Sequence, residues 1–324
     1  MPEEKKLVIA FILDAKGGGR KIGWDEIRTW TPAEGILWCH MDYTDPETRA
    51  YLVGKSGIED VVAELLLAEE TRPRSTFFEE GLLVALRGVN LNPGADPEDM
   101  VSLRIWLEKN RIITTRKREL MSVQDIIHNL GKGKGPTSAA GFLADVAARL
   151  MMRMGDVIDE VEDEVAEIEE TVLVAESHEL RGLIATIRRK AISLRRYMAP
   201  QREALARLQT DELPWLGRKE LIRLREVYDH MTRYIEDLDQ ARDGLTVTHE
   251  ELLSRLSEQL NSRMYVLSLV AAIFLPLSFL TGLLGINIGG IPGADYHNAF
   301  IIFCVFLVAV VGGEILLFKK KNWL

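Results

Sequence analysis

Cysteine is nearly absent: two residues in 324, Cys39 and Cys304, with no C-x-x-C pair. That excludes a disulfide framework and suits a reducing cytosol. The six histidines (40, 128, 178, 230, 249 and 297) are equally sparse, and none pairs at i+3 or i+4. A helical zinc cage of the closed tetrahedral kind is therefore not expected. A basic excess is also missing. The formal net charge is −9, which argues against a phosphate-binding face for nucleic acid. The opening MPEEKKLVIAFILD lacks the longer apolar stretch and small-residue cleavage site of a signal peptide, so the N-terminal part is expected in the cytoplasm.

Enzyme signatures fail too. Gly54-Lys55-Ser56 resembles the end of a phosphate-binding loop, but the position five residues before Gly54 is Arg49. Gly17–Gly19 lacks the spacing of a dinucleotide fingerprint. Both read as turns. No nucleophile–base arrangement is visible, and no cofactor is expected.

What is present divides sharply. Nearly all charge lies in residues 1–262, whereas 264–318 carry only Asp295 and Glu314. Leu7–Leu13, Ile36–Met41, Leu82–Val89, Val101–Leu107 and Arg111–Thr115 read as strands. Ile58–Ala68 and Glu119–Leu130 read as helices, and Asn92-Pro93-Gly94 as a loop. Residues 1–135 are thus expected to form an α/β domain ending in a flexible linker, GKGKGPTS (131–138). Residues 136–262 read as long stalk helices. The stretch DVIDEVEDEVAEIEE (156–170) keeps Val157, Val161, Val165, Ile168 and Val172 on one face. A turn near Glu176–His178 leads into a basic helix, which predicts an antiparallel hairpin held by apolar stripes. The acidic run reads as a solvated face paired with the basic helix, or as a concentrator of cations. Pro214 marks a break, and Leu216–Leu260 predicts another long helix.

Met264–Leu284 has no charged residue and spans roughly 31 Å as a helix, enough to cross the ~30 Å hydrocarbon core. Ala299–Phe318 is a second such run, broken only by Glu314. Residues 263–324 therefore predict two transmembrane helices rather than a buried hairpin of a soluble core. Arg263 and Lys319–Lys321 flank the same side, so both chain ends are expected inside and the short loop outside.

The first span is two-faced. Asn261, Met264, Ser268, Ala271, Leu275, Ser278 and Gly282 form a small, mildly polar stripe. Val266, Val270, Ile273, Leu277, Leu280 and Leu284 form a bulky face expected against lipid. The small stripe suits helix packing or a water-filled path. Two helices cannot enclose a path, so a path requires several copies of the chain. Pro276 frees a carbonyl within the span.

Leu275-Pro276-Leu277-Ser278-Phe279, Thr281-Gly282-Leu283-Leu284-Gly285-Ile286-Asn287 and the tail Phe318-Lys319-Lys320-Lys321-Asn322-Trp323-Leu324 resemble the CorA superfamily of divalent-cation transporters. The resemblance covers the whole chain order: an α+β/α cytoplasmic domain, long stalk helices and two C-terminal transmembrane helices. That family's hallmark is Gly-Met-Asn after the pore helix. Here Ile286 replaces Met, and the loop runs on as GGIPG, similar to the zinc-transporting ZntB branch. The resemblance implies a homopentameric, CorA-like funnel in the inner membrane. It also implies a selectivity loop of Gly285, Ile286 and Asn287, and a path lined by the small stripe and carrying Zn²⁺. A ring of neutral amides holds a hydrated ion without trapping it. A magnesium or broad divalent-cation channel is the nearest alternative. Asp295 and His297 either attract cations at the mouth or belong to a solvated loop. Glu314 either snorkels towards the lysines or handles protons. A membrane-tethered sensor or assembly protein is the alternative of another class, but a tether needs neither the stripe nor the Gly-x-Asn cap.

Overall fold

Runs rich in β-branched and aliphatic residues build most of the sheet. The computed structural model describes residues 9–174, 178–210, 214–285, 293 and 296–321. The strands are β1 (Ile9–Leu13), β2 (Gly19–Ile22), β3 (Ile36–Asp42), β4 (Arg74–Phe77), β5 (Leu82–Gly88), β6 (Val101–Leu107) and β7 (Arg111–Arg116). They form one mixed sheet, ordered β2-β1-β3-β7-β6-β5-β4. β3 and β7 are parallel, with Trp38 opposite Ile112 and His40 opposite Thr114. The other pairings are antiparallel. The central strands are buried along nearly their whole length, which is why they read as continuous apolar runs. β2 and β4 add to the expected strands. Both are four-residue edge strands with charged or polar residues, the usual way to blunt an edge, and so carry little periodic signal.

Helices cover both faces. On one lie α1 (Trp24–Thr29), α2 (Pro46–Gly54) and α3 (Asp60–Leu67). They pack Ile27, Tyr51, Leu52, Val62 and Leu66 against Cys39, Met41, Ile113 and Trp106. Asp45 caps α2 through Thr48 N–H at 3.1 Å, with Pro46 in its first turn. On the other face, α4 (Met121–Gly131) precedes α5 (Ala139–Val174). Phe142 of α5 meets Trp38 with ring centroids 4.8 Å apart. α6 (His178–Thr210) docks by the β4 edge: Ser75 Oγ donates to Ala204 O at 2.9 Å, and Gln201 Oε1 accepts from Arg87 N–H at 2.6 Å.

The 131–138 segment is not a flexible linker. Gly135 N–H donates to Gly17 O at 2.7 Å, and a side chain at Gly17 (φ +102°) would collide with Gly133 O at 2.6 Å. The glycines allow two turns to pack on each other. Nor are Gly17–Gly19 and Gly54–Ser56 phosphate loops. The first is the β1–β2 turn, with Asp14 Oδ1 accepting from Lys16 and Gly18 N–H. The second is the end of α2.

The hairpin of α5 and α6 packs through the expected stripe, with Val157, Val161, Val165, Ile168 and Val172 buried. The matching face of α6 buries Leu180, Ile184, Ile187, Leu194 and Met198. Lys190 Nζ pairs with Glu164 across the hairpin at 3.0 Å. α7 (Arg218–Leu284) contributes Leu224, Val227, Met231, Ile235, Leu238 and Leu245 to the buried set. The chain forms two compact units, Met1–His249 and Glu250–Leu324. The second holds the rest of α7 and α8 (Ala299–Lys320).

Candidate functional site

In the second unit no described residue of 261–285 or 296–321 is buried, although both helices are apolar enough to cross a membrane. A soluble core helix would hide such residues. Leu269, Ile273, Pro276, Leu277 and Leu280 are the half-covered positions of the first span. At about 100° per residue they share one side of the helix. Leu277 and its neighbours Phe274, Ser278 and Thr281 flank a groove with Leu307, Val308 and Val311 of α8. Of the bulky face expected against lipid, Ile273, Leu277 and Leu280 are half-covered, and Leu277 borders α8.

Asn261, Met264, Ser268, Ala271, Leu275, Ser278 and Gly282 are all exposed, Leu275 to 70%; from Met264 to Gly282 they centre about 180° from the half-covered stripe, with Ser278 at the edge that borders α8. Nothing lies within 4 Å of a Cβ built at Gly282. α7 continues through Pro276, which leaves Ala272 C=O without its i+4 donor. One turn on, Thr281 Oγ donates to Leu277 O at 2.9 Å and lies 3.1 Å from Ser278 O. Gly285 N–H closes the last turn on Thr281 O at 2.9 Å. A Cβ at Gly285 would stand 2.8 Å from that same oxygen, so a side chain there would distort the helix end. Ile286, Asn287 and Asp295 lie outside the described residues. His297 is exposed, and Asn298 precedes α8. Glu314 is half-buried, with Oε2 shielded and unpartnered among the described residues.

The first unit holds the acidic stripe. Burial, then Asp237, Asp159 and Asp163, raises the Glu162 carboxyl above its usual range. Burial, then Glu236, does the same for Asp237 on α7. Among the described residues no group of three or more His, Cys, Asp or Glu side chains is placed to hold a metal ion. Cys39 and His40 point to opposite faces as adjacent strand residues must. Burial pushes the Cys39 thiol up to about 12 and holds His40 down to about 3, aided by Arg116. Sequence reading misses what His40 does. Arg116 Nε–H donates to its Nε2 at 3.1 Å, and Nδ1 lies 2.8 Å from Thr114 Oγ. Only strand register brings these residues together.

Two exposed apolar helices, one striped with small residues, joined to a folded α/β unit, define an integral membrane protein with a large water-soluble part. A family model described as CorA-like Mg2+ transporter protein matches residues 33–320; the chain belongs to this family of metal-ion transporters. It is 39% identical to the "Divalent cation transporter CmaX" of Pseudomonas aeruginosa over 330 aligned positions, covering 99% of this chain and 98% of that protein. It is 37% identical to the "Zinc transport protein ZntB" of Pectobacterium atrosepticum, covering 98% and 96%. The solved structure of full-length CmaX superimposes with a TM-score of 0.86 at 37% identity, over 99% of both chains. The CorA magnesium transporter of Methanocaldococcus jannaschii shares the fold, with a TM-score of 0.82 at 18% identity over 98% of both.

Proposed function

We propose that this chain conducts Zn²⁺ across the cytoplasmic membrane through a homopentameric pore, its first spans arranged with their small faces inward. In this reading residues 1–135 form the cytoplasmic domain, 136–262 the stalk and 263–324 the membrane part, with both termini inside. The observation that carries it is the division of α7. The half-covered positions lie on the bulky side, while the Met264–Gly282 stripe is exposed and so suits other copies and water. Ser268 and Ser278 supply hydroxyls to a hydrated ion, while Met264 and Leu275 form constrictions. Gly285 and Ile286 set Asn287 at the outer mouth, where a neutral amide ring admits a hydrated dication and lets it go. Asp295 and His297 draw cations towards that mouth. The shielded Glu314 oxygen makes proton coupling the natural role for that residue.

Zinc is preferred because Gly285-Ile286-Asn287 departs from Gly-Met-Asn and because relatives named for zinc transport align over nearly the whole chain. The relative named for divalent cations in general sets the broader outcome of the test. The default direction is inward: a dication gains about 4.6 kcal/mol per 100 mV of negative interior. Proteoliposome flux with Zn²⁺, Mg²⁺, Co²⁺ and Ni²⁺, with and without a pH gradient, tests this. Zn²⁺ uptake should exceed the others and collapse in Asn287→Ala. Equal rates for all four ions overturn the zinc assignment, and unaltered uptake in the variant overturns the role of Asn287.

A further inference from the structure

Counted back from Asn261 in alternating steps of four and three, the same helix line passes through Ser257, Ser254, Glu250, Val247, Asp243 and Gln240. All six belong to α7 and all are exposed. Positions spaced this way drift by only about 20° per heptad on a straight helix. Val247 and Asn261 therefore lie within about 40° of each other around α7.

Val247 is the one apolar member of this line between Gln240 and Asn261. It is 66% exposed, more than any other large apolar side chain described in the first unit. The subunit's own core does not claim it. Leu238, Ala241, Leu245 and Thr248 are the buried positions on this part of α7, and they centre about 140° away around the helix. Apolar residues repeated at heptad spacing would mark a packed coiled-coil seam. Here the spacing is kept but the residues are carboxylates, hydroxyls and amides, which suit a face that stays wet. A single valine in such a face interrupts the water.

Resting on the homopentameric reading above, we infer that Val247 forms a further constriction of the ion path, before Asn261 along α7. One valine from each copy faces the axis, and together they make a short dry collar between two wetter segments. No single chain can form it. Such a collar gates by losing its water: methyl groups offer a dication nothing in place of its hydration shell, so the ion passes only when the copies draw apart. Asp243 and Glu250, one turn to either side, hold dications at the two edges of the collar. Ser254 and Ser257 keep the path wet from there to Asn261.

The test uses the full-length protein in proteoliposomes, in a Cys304→Ala background with Cys39 buried. A disulfide needs Cα atoms within about 7 Å of each other, a separation that a collar meets and a wide vestibule does not. Mild oxidation of Val247→Cys should therefore give covalent dimers on a non-reducing gel and abolish most Zn²⁺ flux, and reductant should restore the flux. Thr246→Cys, about 100° round the helix, should do neither. Val247→Thr keeps the side chain's shape but exchanges a methyl for a hydroxyl. It should raise flux roughly 3- to 10-fold, the effect of about 0.7–1.4 kcal/mol on the barrier, with Tm unchanged. Absence of cross-linked Val247→Cys dimers, or wild-type flux in Val247→Thr, overturns the collar. The pore reading fails separately, by a wild-type protein that carries no ion; the cross-link still decides whether the valines face one another.

Discussion

Gly155 of α5 sits against Tyr234 of α7. A Cβ built there would lie 2.3 Å from Tyr234 Oη and 3.0 Å from Cζ. Carbon and oxygen at that separation overlap by about 1 Å, so in Gly155→Ala the phenol must swing aside or the helices must part. Overpacking of this kind costs about 1–3 kcal/mol. Alanine in a helix interior returns about 1 kcal/mol relative to glycine. The tyrosine is half-buried and can move in part, so the net loss should be about 0–2 kcal/mol. Tyr234→Phe removes the oxygen and leaves only the 3.0 Å approach to Cζ. In the double variant the helix gain should therefore reappear, restoring stability to the wild-type level or above it. The double-mutant cycle, followed by urea denaturation monitored by circular dichroism, should give a coupling of about 1–2 kcal/mol. A cycle that closes additively would refute this α5–α7 register.

Two further outcomes follow from buried hydrogen bonds. His40 is held neutral when folded, at about 3, and titrates near 6.5 when unfolded. The unfolded chain then binds the extra proton, so this contribution is complete above about pH 6.5 and is lost as pH falls from there towards 3, by at most about 1.4 kcal/mol per pH unit. His40→Gln should flatten that part of the stability–pH curve, and an unchanged slope would count against a neutral His40. Gln201→Ala leaves the Arg87 N–H at the β4 edge without its acceptor and should cost about 1–3 kcal/mol. Hydrogen exchange at the Arg87 amide should rise with it, and full protection in the variant would contradict the contact.

The central strands are legible because both of their faces are covered, so they appear as unbroken Val-, Ile- and Leu-rich runs. Val101–Leu107 matches its expected span, and Ile36–Met41 extends by one residue to Asp42. β2 and β4 escape because polar edge strands show neither a run nor an alternation. α2 has a readable start in Asp45-Pro46, a cap followed by proline in the first turn, but no apolar stripe to mark its length. The 131–138 glycines look like a linker because composition cannot distinguish a loose chain from a turn that needs φ > 0. The two membrane runs are legible from charge alone. The side on which α8 lies is not, because bulky aliphatics suit lipid and a neighbouring helix equally.

Thiol accessibility across the first span tests the central claim most directly. In a Cys304→Ala background, with native Cys39 buried, single cysteines at Ser268, Ser278, Ile273 and Leu280 are treated with a membrane-impermeant reagent in proteoliposomes. The account predicts modification at Ser268→Cys and Ser278→Cys that Zn²⁺ slows, and protection at Ile273→Cys and Leu280→Cys. Protected serine positions alongside reactive Ile273 and Leu280 positions would contradict it.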